Sequence, residues 1–164
     1  FTNAVLSPTK SIVAFIVNSG IHRWAGIKNL QNGSLYPVAF QFEGGIDKPI
    51  WNKVGNYISF FKATPKGTNI LSLVNTDNTG IYTSDFEKIL NFDELNPQPP
   101  GIFSNMKNPY WGKARLYFTV SLLSSRTNPP TEFTGEFWSV DPINIKWYFH
   151  CQLFLKKDWL PGRG

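Results

Sequence analysis

Two histidines and one cysteine are the side chains best suited to nucleophilic or metal chemistry in this chain, and their placement argues against both. His150 adjoins Cys151. Neighbours along a strand point to opposite faces, so these two form no working nucleophile–base pair. A metal site needs several clustered ligands, and His22 and His150, isolated from any acid-rich loop, supply no such set. A single cysteine leaves no internal disulfide. Asp93-Glu94 and Glu132 with Glu136 are the acid pairs open to glycoside hydrolysis. Nothing in their spacing sets two carboxylates across a cleft, and they read as solvated charges. No glycine-rich phosphate loop follows a strand and opens a helix. The sequence therefore predicts no enzyme: no catalytic residue, no metal and no cofactor.

Binding is better served. Asn108-Pro109-Tyr110-Trp111-Gly112 reads as a surface loop framed by proline and glycine. Rings in such a loop can stack on the apolar face of a sugar while nearby amides and guanidiniums bind its hydroxyls. Tyr110 and Trp111 are the first candidates for glycan contact, with Trp138, Arg126 and Asn128 as further ones. The alternative is that these rings tuck into the core. Trp24, Trp51 and Trp147 are assigned there. Asn32-Gly33-Ser34 matches a glycosylation acceptor, which matters only in a secreted protein.

The element that organises the positioning is Ile145–Lys156. Ile145, Trp147, Phe149, Cys151, Leu153 and Leu155 alternate with mostly polar or amphipathic residues, a period of two that predicts a central strand with one buried face. On that phase Cys151 is buried and slow to react with thiol reagents. Further strands are predicted over Ser11–Val17, His22–Ile27, Tyr36–Phe42 (with Pro37 marking an edge or a start), Tyr57–Ala63, Ile70–Asn75, Ala114–Leu123 and Glu132–Trp138. Ser84-Asp85-Phe86-Glu87 forms a capping box ahead of Phe86, Ile89 and Leu90 at helical spacing, predicting one helix over 85–95. The prolines and glycines of Asn96–Lys113 predict an irregular stretch. No internal repeat is visible. The expected fold is mainly β (α+β), with an antiparallel sheet of about eight strands packed on or around the single helix.

Length and composition set the bounds. The chain has 164 residues, enough for one domain spanning 1–164. Aromatic residues make up 16% and charged residues only 16%, which suits a β-rich protein with rings to spare for a binding surface. The net charge is +5, but the basic residues are scattered and form no stripe, so no nucleic-acid partner is expected. The longest apolar run, Ile12–Val17, is too short for membrane insertion. A start at Phe1 without methionine and an end at Gly162-Arg163-Gly164 suggest excision from something longer.

Several segments together carry a likeness. Ser7-Pro8-Thr9 leads into Ser11–Val17 and Asn18, with Arg23-Trp24 on the partner strand. Arg115-Leu116-Tyr117 leads to Glu132–Phe137 and then Ile145–Leu155. In this order and size the chain resembles the head domain of the rotavirus outer-capsid spike protein. Gly162-Arg163-Gly164 is similar to the trypsin-sensitive boundary of that spike. The resemblance implies a galectin-like β-sandwich or, as in the group B heads, a sheet wrapped around a helix, which the 85–95 helix favours. It implies a non-enzymatic attachment domain on the virion surface, joined to the rest of the spike and binding cell-surface glycans. Ser34-Leu35 stand where sialic-acid-binding members have an arginine, so that set of binding residues is not carried over. The alternative role is a protruding capsid or scaffold domain that binds a protein partner.

Overall fold

The computed structural model describes residues 2–19, 22–41, 45–76, 87–127 and 131–155. They form twelve strands and one short helix: β1 (Thr2–Leu6), β2 (Ile12–Ser19), β3 (His22–Asn29), β4 (Leu35–Gln41), β5 (Ile50–Trp51), β6 (Tyr57–Thr64), β7 (Gly67–Asn75), β8 (Glu87–Asn91), α1 (Phe92–Leu95), β9 (Ile102–Trp111), β10 (Leu116–Ser124), β11 (Thr131–Asp141) and β12 (Lys146–Leu155). The strands make three four-stranded sheets, β1-β2-β3-β4, β5-β6-β7-β8 and β9-β10-β11-β12. In each sheet every strand lies beside its neighbour in sequence, so no crossover is needed. By contacts the chain divides into two compact units, residues 1–65 with 70–90, and residues 66–69 with 91–164.

In the first unit, β2 and β3 pair without a break from Ile12 opposite Asn29 to Ser19 opposite His22. Alternate residues Ala14 and Ile16 of β2 and Ala25 and Ile27 of β3, with Val38 and Ala39 at the register shift of β4, pack against Trp51, Ile58, Phe60 and Val74 of the second sheet. The small alanines let the two layers approach, and the indole of Trp51 donates to the Val5 carbonyl at 3.1 Å. Pro37 sits on edge strand β4 at a register shift, where its missing N–H costs no ladder bond.

In the second unit, Leu116, Phe118, Val120 and Leu122 turn the same face of β10 inward, and all four are buried. Phe92 is fully buried and packs edge-on against Phe118, Trp138 and Trp147. α1 starts at Asn91, whose side chain accepts from the amides of Asp93 and Glu94 at 2.9 and 3.2 Å. The Asp93 carboxylate in turn accepts from Asn69 (2.8 Å) and Ser104 (2.6 Å).

Four expectations are corrected here. Neither one sheet of about eight strands around a helix nor a galectin-like sandwich is present. The predicted helix over 85–95 is instead strand β8 followed by the four residues of α1. Ser84, Asp85 and Phe86 lie outside the described residues, but Glu87–Asn91 is extended and completes the second sheet. An eleven-residue helix is marginal on capping alone, and an open sheet edge offers Glu87–Asn91 a full set of backbone partners. The irregular stretch of 96–113 contains the ten-residue strand β9. Its Asn108-Pro109 forms a bulge: Tyr117 faces Tyr110 while Thr119 faces Lys107, and Asn108 takes a φ of 56°. A bulge accommodates both a positive φ and a proline without N–H, so the residues that suggested a loop only kink the strand.

The last correction concerns β12. It is an edge strand with a single partner, β11, not a central one. Phe137 faces Cys151 and Trp138 faces Phe149, so His150 is an extra residue; Leu153 is a second, between Gln152 and Phe154. One inserted residue swaps the faces of everything beyond it. Trp147 and Phe149 share a side with Val140 and Trp138, and Cys151 falls on the other side, opposite Phe137. Cys151 is exposed and free, not buried. The native thiol should therefore label with a maleimide at nearly the rate of the unfolded chain. A rate tenfold or more below that would place Cys151 in the core and refute the bulge at His150.

Candidate functional site

The outward side of the third sheet carries rings and cations from all four of its strands. Residues paired across an antiparallel ladder lie on one side of the sheet. Tyr117 pairs with Tyr110 on β9 and Ser139 on β11, and Ser139 pairs with Tyr148 on β12. Tyr110 is 61% exposed, and Tyr117, Phe137 and Tyr148 are half-buried. Tyr117 stacks on Phe137 with centroids 5.7 Å apart and 16° between planes, and on His150 at 5.7 Å and 29°. His150 is exposed, held by a 2.7 Å bond between its Nε2 and the Ser139 hydroxyl. His150 stands in phase with Tyr148 on this side of β12, and the bulge there is what brings Cys151 to the same side.

Cations frame the rings. The Arg115 guanidinium lies 3.9 Å from the centre of the Tyr148 ring and the Lys146 ammonium 5.3 Å from it. Lys107 pairs with Glu132 at 3.3 Å. Asp141 closes the β11–β12 turn by accepting from the amides of Ile143 (2.9 Å) and Asn144 (3.3 Å) and from the Asn144 side chain. The Ile143 amide first, then the Asn144 groups and the charge of Arg115, hold the Asp141 carboxyl below the usual carboxylate range, against a smaller opposing effect of burial. It stays ionised to lower pH than a free aspartate and keeps the turn closed.

A serine hydrogen-bonded to a histidine has the geometry of a nucleophile and its base. Ser139, however, is fully buried, so no substrate carbon can reach its oxygen, and the bond serves to orient the imidazole. Among the described residues no three His, Cys, Asp or Glu side chains lie close enough to hold a metal ion. Among them, too, no helix is long and apolar enough to cross a membrane. The first unit carries an apolar groove of about 290 Å³ lined by Ala4, Val13, Phe15, Lys28 and Leu35, with Lys28 the one charged side chain among the described lining residues.

The proposed glycan residues are scattered. Tyr110 alone stands on the ring-bearing face. Trp111, its neighbour, points to the other side opposite Leu116 and is 4% exposed. Trp138 is half-buried on that same inner side, its ring 5.2 Å from Phe92 and 5.4 Å from Phe149, its Nε1 donating to Glu136. Arg126 is exposed in the turn after β10, and Asn128 lies outside the described residues. The sequence reasoning missed Tyr117, Phe137, Tyr148, His150 and Arg115. The signal is the other phase of the strand predicted over Ala114–Leu123, Arg115, Tyr117 and Thr119, opposite the apolar phase of Leu116, Phe118 and Val120.

No family model matches the chain, and no curated protein matches it. Solved structures do. Oligogalacturonate lyase in complex with manganese aligns with 93% of this chain and 42% of its own, at TM-score 0.60 and 10% identity. The β-propeller domain of the Trilobed protease from Pyrococcus furiosus, described as having an open velcro topology, aligns with 94% of this chain and 44% of its own, at TM-score 0.56 and 14% identity. A putative TolB from Agrobacterium tumefaciens aligns with 92% of this chain and 48% of its own, at TM-score 0.53 and 12% identity. The chain thus spans less than half the length of these structures. At such identities the likeness shows the fold alone: three four-stranded antiparallel sheets with almost no helix, matching blades of a β-propeller. It overturns the resemblance to the rotavirus spike head. The viral, glycan-binding attachment role falls with it, as does the capsid setting of the alternative role. The short motifs that suggested it are those of antiparallel hairpins in general.

Proposed function

We propose that this chain is a non-enzymatic interaction scaffold, propeller blades that hold the ring-and-cation face of the third sheet in place for a protein partner. The observation that carries the reading is the exposure of that face: Tyr110, His150 and Lys146 stand out from the sheet, over half-buried Tyr117, Phe137 and Tyr148. Exposed contiguous rings on a rigid sheet are costly to leave in water and mark interaction surfaces. The burial of Ser139 supports the non-enzymatic part. The test is turnover of p-nitrophenyl esters and of labelled peptides by the wild-type chain beside Ser139→Ala and His150→Ala. All three should match buffer alone. Hydrolysis by the wild type that both substitutions abolish would overturn the reading and make Ser139 a nucleophile.

A further inference from the structure

We infer that the outward face of the third sheet recognises an acidic protein segment, a stretch of chain in which carboxylates alternate with apolar side chains. The inference rests on the scaffold reading above and names the partner that this face fits.

The orientation of the rings carries the first part. Tyr117 is stacked against both Phe137 and His150, so these rings spend their faces on one another. The face of Tyr148 is covered by the Arg115 guanidinium at 3.9 Å. Stacking of bases or sugar rings requires free aromatic faces. What this ladder presents outward is ring edges, the electropositive part of an aromatic quadrupole. Edges of this kind favour oxygen atoms and aliphatic groups over flat π-systems.

Charge carries the second part. Arg115 and Lys146 meet at Tyr148, at the end of the ladder. The carboxylate facing them is Asp141, whose oxygens already accept from Ile143 and Asn144; Glu132 lies at the far end of β11, opposite Leu123, and is engaged by Lys107. Asp141 therefore offsets Arg115 only in part, and Lys146 has no carboxylate pair among the described ion pairs. A guanidinium held over a ring keeps N–H donors for a carboxylate. The half-buried Phe137 and Tyr117 beside these cations suit an apolar side chain placed next to that carboxylate.

The test is fluorescence anisotropy of the 164-residue chain with three labelled peptides of alternating pattern, Glu-Leu, Ser-Leu and Lys-Leu, and with a single-stranded oligothymidine. The Glu-Leu peptide should bind tightest, and its affinity should fall as ionic strength rises past the physiological range. Arg115→Ala and Lys146→Ala should each weaken it roughly fivefold. If Arg115→Ala melts below the wild type, Arg115→Gln replaces it, with the His150 ring proton shifts on peptide addition as a second readout. Equal binding of Glu-Leu and Ser-Leu, perturbing His150 in both cases, would overturn the acidic partner while leaving the scaffold reading intact. Oligothymidine binding that exceeds Glu-Leu and depends on Tyr117 would assign the face to nucleic acid. No binding by any peptide would overturn the inference, whereas ester turnover in the preceding assay would overturn the scaffold reading itself.

Discussion

Phe92→Ala should cost the second unit about 3–5 kcal/mol, enough to lower its melting temperature by roughly 10 °C or more. The ring is fully buried and meets three others edge-on, Trp138 at 5.2 Å, Trp147 at 5.7 Å and Phe118 at 6.5 Å. Truncation removes the transfer free energy of a benzyl group. It also leaves a void walled by large rings carried on three paired strands, which cannot collapse inward without shifting the sheet. Phe92 is also the first residue of α1, so its loss frees the capped turn that Asn91 starts. Urea unfolding followed by tryptophan fluorescence reads the effect, since Trp138 and Trp147 report on the same cluster. Two compact units need not unfold together, so the transition to follow is the one in which those indoles are exposed. Phe92→Leu should recover more than half the loss. A change below about 1 kcal/mol for the alanine variant would mean that Phe92 is not the centre of this core.

The second large effect is expected at the start of β7. Gly67 has a φ of 117°, a conformation closed to residues with a side chain. A Cβ there would stand 2.6 Å from the Ser104 carbonyl oxygen and 2.7 Å from Oδ1 of Asn105. The first obstacle is backbone within β9. The second is the oxygen that accepts the Thr68 amide at 2.7 Å. Neither can retreat without disturbing a ladder or leaving the half-buried Thr68 amide unpaired, so Gly67→Ala combines backbone strain with a lost hydrogen bond. The expected cost is about 3 kcal/mol or more. Gly33→Ala is the control: Gly33 also has a positive φ, 74°, but nothing lies within 4 Å of the added carbon. It should lose only about 1 kcal/mol, from the backbone alone. Equal losses at the two glycines would show that the Ser104 contact contributes nothing.

Strand positions were legible because the period of two is a local property. β2, β3, β6, β7, β10 and β11 fall within a few residues of where their apolar runs and alternations place them; β10 buries the phase of Leu116, Phe118 and Val120, whereas β6 and β7 are buried through consecutive residues. Two local signals misled for the same reason that they are local. Ser84-Asp85-Phe86-Glu87 specifies a helix start only if nothing better is offered to the residues that follow, and the open edge of the second sheet offers Glu87–Asn91 strand pairing. Asn108 and Pro109 break a regular strand, but a bulge absorbs both, and β9 continues through them to Trp111.

The sequence by itself determined a β-rich chain of antiparallel hairpins, the turns between most of them, and an excess of rings over what one core requires. The tertiary structure decided how the strands group into three sheets of four. Hydrophobic alternation says that a strand has an inner face and is silent about which neighbour covers it. It also decided the site. Tyr110 and Trp111 are adjacent and chemically alike, yet one faces water and the other the core. Only the register of β9 on β10, with Tyr110 opposite Tyr117 and Trp111 opposite Leu116, separates them. His150 stays in phase with Tyr148 on the ring ladder, whereas Cys151 reaches the surface because one extra residue in β12 reverses the strand's faces. That insertion exists only by reference to β11, so no pattern within β12 alone could have announced it.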